Sequence, residues 1–303
     1  MAAATVKDDI QLIRRMEWRP TPAPRLNVDL TNRDVTVLWL LARNLYATSS
    51  QVMAAGFPSM QMAHKRLSRL EAAGLVGGAV SLWHPRRRMM IWGLTDAGAQ
   101  ILKEYDRDQW TTYYDSWRSP VGQSIAQKRS LLHELGRNAW CHRMERLFLD
   151  TGWTAEWLPG SAGYVRAYPN GGTMRVELTP DAVFFVNNNY WMVEYERSWR
   201  TSTLQAKLRR YGLYYKYRLW ESQFQFRTEP RVVFVFSPTS TQEQSLITWI
   251  QQFTDDLGTR GWLVRDSTDI DAEYVVPAIH WSGMDRKMVR DSWFYTNEHA
   301  PRG

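Results

Sequence analysis

The residues of this chain best suited to chemistry are three carboxylates, Asp181, Glu194 and Glu196. Glu194 and Glu196 stand two apart at the end of Tyr190–Ser198, a run whose composition predicts a β-strand, and the period of two puts both on one face. Asp181 follows Pro180 inside Met174–Val186, a second strand-like run, and Asn187-Asn188-Asn189 joins the two. Paired as a hairpin, the runs bring Asp181 toward the glutamates. Converging carboxylates are hard oxygen donors of the kind that hold Mg²⁺, with Asp181 and Glu194 the candidate ligands. Such an ion activates water and offsets phosphate charge in phosphodiester hydrolysis. The competing account is structural, with Glu194 and Glu196 in salt bridges to Arg197, Arg200 or Lys207.

The elements that must position this cluster follow in order. Residues 130–150 read as an amphipathic helix. Strands are expected at Thr154–Leu158, Met174–Val186 and Tyr190–Ser198, and a helix at Ser202–Leu219. Arg231–Phe236 is an apolar, β-rich run, Gln242–Leu257 a helix, and Trp262–Arg265 and Tyr274–Ile279 short strands. This alternation indicates an α/β sheet rather than a helical bundle. Pro180, Asp181, Glu194 and Glu196 on an α-β-β-β-α-β order resemble the PD-(D/E)XK (restriction-endonuclease-like) nuclease fold, with Glu134 on the preceding helix as a further acidic member. The resemblance implies that Asp181, Glu194 and Glu196 are catalytic. The sequence departs from the pattern where a lysine is usual two residues after the second acid, because Glu196 stands there. Lys207, on the next helix, offers a replacement cation.

Between Arg197 and Arg218 the chain carries seven basic residues and no acidic one, interleaved with tyrosines. Two accounts fit. Arg209 and Arg210 dock a phosphate backbone beside the acidic pocket, or the tyrosines pack on the sheet while the arginines stay solvated.

The first third of the chain reads differently. Thr31 or Asn32 caps a helix carrying Val35, Val37, Leu38, Leu40 and Leu41, and a second short helix at Ser49–Ala55 is capped by a serine. The turn Gly56-Phe57-Pro58-Ser59 leads to a third helix, about Ser59–Ala73, with Met62, Leu67 and Leu70 for the core and Gly74 as its stop. Strands at Leu75–Trp83 and Arg88–Leu94 flank His84-Pro85-Arg86-Arg87, and a fourth helix runs to about Tyr105. Helix, helix, turn, helix, hairpin, helix is the order of a winged helix-turn-helix. The polar side of its third helix (Ser59, Gln61, His64, Lys65, Arg66 and Arg69) suits a DNA major groove. Arg86, Arg87 and Arg88 at the wing tip suit a minor groove or backbone.

Charge supports this placement. The chain carries +7, and residues 31–107 hold ten Lys/Arg against five Asp/Glu, whereas 130–285 hold sixteen against eighteen. The basic excess sits where a phosphate-binding module is expected. The single cysteine, Cys141, excludes an intramolecular disulfide and argues against a zinc finger. No apolar run reaches the roughly 18 residues that would span a bilayer, and the N-terminus does not read as a signal peptide. The expected division is a Pro-rich arm at 1–30, a winged helix at 31–107, a partly packed linker at 108–129, a nuclease-like domain at 130–285 and a peripheral tail at 286–303.

The winged helix, the LLHELGRNAW helix, the TPDAVFFV strand and VEYERS followed by LQAKLRRYGLYY resemble, in order and spacing, the replication-relaxation family of plasmids and other mobile elements. The resemblance covers most of 31–280. It implies a cytoplasmic, nucleoid- or plasmid-associated protein acting on double-stranded DNA in replication or relaxation. A homodimer and replication proteins are the expected partners, with no membrane. Three readings stay open: a DNA-binding protein of a mobile element, a transcriptional regulator whose second domain is catalytically silent, and an active metal-dependent endonuclease.

Overall fold

The computed structural model describes residues 16–24, 29–54, 56–81, 90–122, 131–150, 152–169, 174–187, 189–196, 201–224, 230–236, 261–265, 277–281 and 288–292. Arg86, Arg87, Arg88, Arg197, Arg200 and the expected helix Gln242–Leu257 lie outside them. The protein is mixed α+β and divides into two compact units, Met1–Ala139 and Trp140–Gly303.

In the first unit, α1 (Asn32–Asn44) starts at a capping box, in which Thr31 accepts from the Asp34 backbone N–H and Asp34 accepts from that of Thr31. Its apolar stripe buries Val37, Leu38 and Leu41. A short strand, β2 (Ala47–Thr48), leads to α2 (Ser49–Ala54). The cap of α2 is Thr48 rather than the expected serine. Thr48 Oγ1 accepts from Gln51 N, while Gln51 Oε1 accepts from Thr48 N. Ser49 instead takes the indole N–H of Trp92 at 2.9 Å, which satisfies a buried donor.

Ser59 caps α3 (Met60–Ala72), and Gly74 follows its end with φ +75°, where a side chain would be strained. Ala63, Leu67 and Leu70 form the buried stripe of α3. Met62, expected in the core, is 46% exposed because it lies one residue off that stripe. Strands β3 (Val76–Ser81) and β4 (Met90–Leu94) pair antiparallel, and α4 (Asp96–Tyr105) follows with Thr95 as its cap.

Two departures concern the chain around this unit. Within the expected arm, β1 (Met16–Trp18) adds an antiparallel strand to β3, giving the sheet order β1-β3-β4-β2. Within the expected linker, α5 (Arg107–Tyr114) is a helix whose Trp110 and Tyr114 join the core of this unit. Burying two large aromatic rings outweighs the polarity that made the segment read as a connector.

Helix α6 (Leu131–Asp150) carries the chain from one unit into the other. Within the first unit, the buried amide of Asn138 donates to the carbonyls of Asn44 and Tyr46 at 2.8 and 2.9 Å. Those carbonyls sit at and just beyond the end of α1, where intrahelical donors run out. Arg137 in turn donates to Asn138 Oδ1 at 2.7 Å, which accounts for the Arg-Asn pair in LLHELGRNAW.

The second unit is built on a seven-stranded sheet, ordered β13-β12-β11-β10-β9-β8-β5. Its strands are β5 (Ala155–Pro159), β8 (Ala182–Val186), β9 (Asn189–Glu196), β10 (Arg231–Phe236), β11 (Gly261–Arg265), β12 (Pro277–Trp281) and β13 (Met288–Ser292). The last of these forms a sheet edge inside the stretch expected to be a peripheral tail. Strand β9 is central, antiparallel to β8 and parallel to β10. One of its faces packs Tyr190 and Met192 against α7 (Thr201–Lys216) and α8 (Leu219–Phe224). The other packs Trp191, Val193 and Tyr195 against Trp140, Met144 and Phe148 of α6. Alternation on a strand covered by helices on both faces gives this division.

The expected strand Met174–Val186 is two strands. Its first part, β7 (Val176–Leu178), pairs with β6 (Val165–Ala167) as a separate ribbon, and only its second part enters the main sheet as β8. Pro180, which has no N–H to give to a ladder, stands at the break.

Candidate functional site

The second unit gathers the residues singled out for chemistry. Strands β8 and β9 pair with Ala182 opposite Val193, which sets Asp181 beside Glu194. Asp181 is fixed at both ends. Its N–H donates to Val193 O at 2.9 Å and its Oδ2 accepts from Tyr195 N at 2.8 Å. The preceding turn admits no side chain, since a Cβ on Gly160 would lie 1.7 Å from Pro180 O. Close backbone approach at Gly160, with the Pro180 ring against Gly163, holds the Pro180-Asp181 turn.

Lys207, on the sheet-facing side of α7, ends among the three carboxylates. Its Nζ stands 2.5 Å from Glu194 Oε2, 2.6 Å from Glu196 Oε1 and 3.5 Å from Asp181 Oδ2. Glu194 is completely buried, and Tyr211 donates its hydroxyl to Glu194 Oε1 at 2.5 Å. Sequence reasoning placed Tyr211 in a basic aromatic strip and missed this role. The signal was the spacing of Lys207 and Tyr211, four residues apart and so on one helix face.

The charges follow from burial. Loss of solvent lifts Glu194 to about 8, an effect the Lys207 ammonium opposes and the Asp181 charge reinforces. Burial works against the charge on Lys207, but Glu194, Asp181 and Glu196 outweigh it and raise its pKa. Tyr211 is raised as well, by burial and by the adjoining Glu194, so it remains a neutral donor. The cluster thus holds an ammonium, a buried carboxyl whose pKa is raised, and two partly exposed acidic side chains. Glu134 is engaged elsewhere, with the Arg137 guanidinium 2.6 Å away on its own helix. Among the described residues no group of three or more His, Cys, Asp or Glu is arranged to hold a metal ion.

Of the two accounts of the basic strip, the packing of α7 matches the second in part. Tyr211, Tyr214 and Tyr215 belong to the core, while Arg209 and Arg210 are exposed.

The first unit presents the other candidate surface. Gln61, His64, Lys65 and Arg69 are exposed along α3, opposite its buried stripe. Ser59 is committed to its cap, accepting from Met62 N at 3.3 Å. Arg66 departs from expectation. Its guanidinium forks onto both oxygens of Asp34, which is 2% exposed, and donates to Thr31 Oγ1 at 2.6 Å. Burial pushes the Asp34 pKa up, but Arg66 and the Thr31 hydrogen bonds outweigh it, leaving the carboxyl below its ordinary value. Arg66 therefore ties α3 to the start of α1, and the outward cations are its neighbours. Beside them lies a concavity of about 570 Å³ lined by Thr31, Asn32, Arg33, Phe57, Met62, Lys65, Arg66 and Arg69.

These features define a two-unit α+β protein, with a basic helix face in one unit and a carboxylate–lysine cluster in the other. The replication-relaxation family model matches residues 38–228, which run from within α1 to beyond α8, and the chain belongs to that family. No curated protein matches the chain. Among solved structures, a zinc-responsive MarR family member, ZitR of Lactococcus lactis, is similar at 15% identity, with 43% of this chain and 81% of that chain covered and a TM-score of 0.24. Among the described residues no helix is long and apolar enough to cross a membrane.

Proposed function

We propose that this protein binds double-stranded DNA of a plasmid, phage or other mobile element and acts in its replication or processing. A winged helix-turn-helix at 31–107 reads the DNA, and a PD-(D/E)XK-like domain at 130–285 binds or processes it. The observation that carries this reading is α3, with Gln61, His64, Lys65 and Arg69 outward and Ala63, Leu67 and Leu70 inward. A helix anchored on one face and basic on the other is what major-groove docking requires. Arg86, Arg87 and Arg88 extend the contact through the wing, and Arg209 and Arg210 offer a second backbone contact. A homodimer, replication proteins as partners and a nucleoid- or plasmid-associated location in the cytoplasm belong to the same proposal.

For the second domain the acidic oxygens are of the type a hard divalent cation takes, with Lys207 standing among them. With Glu194 holding its proton, two acids against one ammonium still leave the cluster net negative, and all the acidic donors are oxygens. Asp181 and Glu194 would hold Mg²⁺, which when bound supplies an activated water and charge relief for phosphodiester hydrolysis. Lys207 keeps a positive charge beside the carboxylates, and Glu196, partly exposed like Asp181 and bonded to Lys207, is the residue from which a base would act. A second reading, a transcriptional regulator with a silent nuclease-like domain, draws support from Lys207, whose ammonium already bridges all three acids.

Two measurements test these readings. In a gel-shift titration on duplex DNA, changing Arg86, Arg87 and Arg88 to Ala is expected to weaken binding and reduce the salt slope by up to about 2.7, at about 0.9 per lost phosphate contact. Unaltered affinity and slope would remove the wing from the interface. In a supercoiled-plasmid nicking assay with Mg²⁺ or Mn²⁺, cleavage that vanishes in Asp181→Ala supports processing. No cleavage by the wild type, or cleavage unchanged in Asp181→Ala, favours the regulator.

A further inference from the structure

The β6–β7 ribbon has two unlike faces. Val165, Val176 and Leu178 point inward and join the core formed with α7 and α8. The register sets Arg166 opposite Glu177 and Ala167 opposite Val176, and Tyr164, Tyr168, Arg175 and Thr179, which flank these strands in the same alternation, are exposed. The outer face therefore carries Tyr164, Arg166 and Tyr168 on one strand line and Arg175, Glu177 and Thr179 on the other. Contacts place these groups together. The Tyr164 hydroxyl donates to Glu177 Oε1 at 2.7 Å, and Arg175 pairs with Glu177. Tyr164 is 37% exposed and Tyr168 53% exposed.

Single exposed aromatics need no explanation, but two on one face with two arginines between and beside them form a surface. We infer that the outer face of the β6–β7 ribbon binds unpaired DNA, with bases stacked on Tyr164 and Tyr168 and phosphates held by Arg166 and Arg175. Three features select this occupant. A tyrosine ring offers a π-face to any base, and extended backbone at about 3.3 Å per residue spaces the two positions by about 13 Å. Arg175 offsets Glu177, so Arg166 leaves the face net positive toward a polyanion. The ribbon is also fastened to the carboxylate–lysine cluster. Tyr164 follows the Gly160–Gly163 turn that abuts Pro180, and β7 runs within three residues of Asp181.

The inference rests on the reading of the protein as DNA-binding, and the test separates the two. Full-length protein is titrated by fluorescence anisotropy against a labelled oligothymidylate of about 12 nucleotides, within the site sizes of stacking surfaces, and in parallel against duplex DNA. Each of Tyr164→Ala and Tyr168→Ala is expected to weaken single-strand binding by roughly fivefold to hundredfold, leaving duplex affinity unchanged. Tyr168→Phe keeps the ring and should retain wild-type affinity. Arg166→Ala should lower the single-strand salt slope by about 0.7. Wild-type protein that binds duplex but not single strand overturns this inference and leaves the duplex reading standing, whereas failure on both overturns both. Single-strand affinity unchanged in both alanine variants, or competition by polyglutamate as strong as by oligothymidylate, would also overturn it.

Discussion

Lys207→Met is expected to lower the unfolding free energy by about 3–5 kcal/mol at alkaline pH, the range for removing one partner of a buried ion pair. The variant leaves Glu194, completely buried, facing Asp181 and Glu196 without a cation. The loss should shrink on acidification, because a protonated Glu194 is no longer an uncompensated charge. The wild type has its own pH dependence. The pKa of Glu194 is raised from 4.5 to about 8, so between those values the folded protein holds a proton that the unfolded chain has released. The Glu194 contribution therefore makes stability fall as pH rises through that window. Lys207 is raised above its ordinary 10.5, so its contribution is complete below that value and disappears only in strong alkali. Urea midpoints at about pH 5 and about pH 9 measure the difference, and adding Glu194→Gln to Lys207→Met should recover part of it, since coupled sites are not additive. Equal destabilisation at both pH values would show that Lys207 is held by packing rather than by charge.

Arg66→Ala should cost a similar amount, about 3–5 kcal/mol, by leaving Asp34 buried with only the Thr31 contacts. Because Asp34 lies below its ordinary pKa, the pair contributes fully above about pH 4 and loses its contribution as pH falls through the folded value. Asp34→Ala removes the capping box as well but leaves no buried charge, because Arg66 is 21% exposed and can turn to water, so it should be the less damaging change. Since Arg66 fixes α3 against α1, its loss is also expected to weaken duplex binding without a matching change in salt slope, the mark of a positioning residue rather than a phosphate contact. A slope reduced by a full contact in Arg66→Ala, with stability intact, would return Arg66 to the DNA interface.

Much of this arrangement was legible in the residues themselves. Apolar spacing gave α1, α3 and α7 to within a few residues, and Gly74 marked the end of α3 because a positive φ follows a helix C-terminus. The hairpin through Asn187–Asn189 and the period of two on β9 were enough to bring Asp181, Glu194 and Glu196 together. What remained hidden depended on tertiary partners. The chemistry of Arg66 suits both DNA and Asp34, and only the packing of α3 on α1 shows which one it meets. Trp110 and Tyr114 lie in a polar stretch, and their burial follows from a core that local pattern does not describe. Strand β7 leaves the main sheet because Pro180 interrupts the ladder, a choice between two pairings that alternation alone leaves undecided.

The central claim is that the outward face of α3 contacts double-stranded DNA. Its most direct test is the salt dependence of duplex binding for the wild type and for Lys65→Ala/Arg69→Ala, both changes being on exposed positions away from the core. The account predicts weaker binding and a log–log salt slope shallower by about 1.8, two phosphate contacts at about 0.9 each. A variant that binds duplex with wild-type affinity and wild-type slope would contradict it.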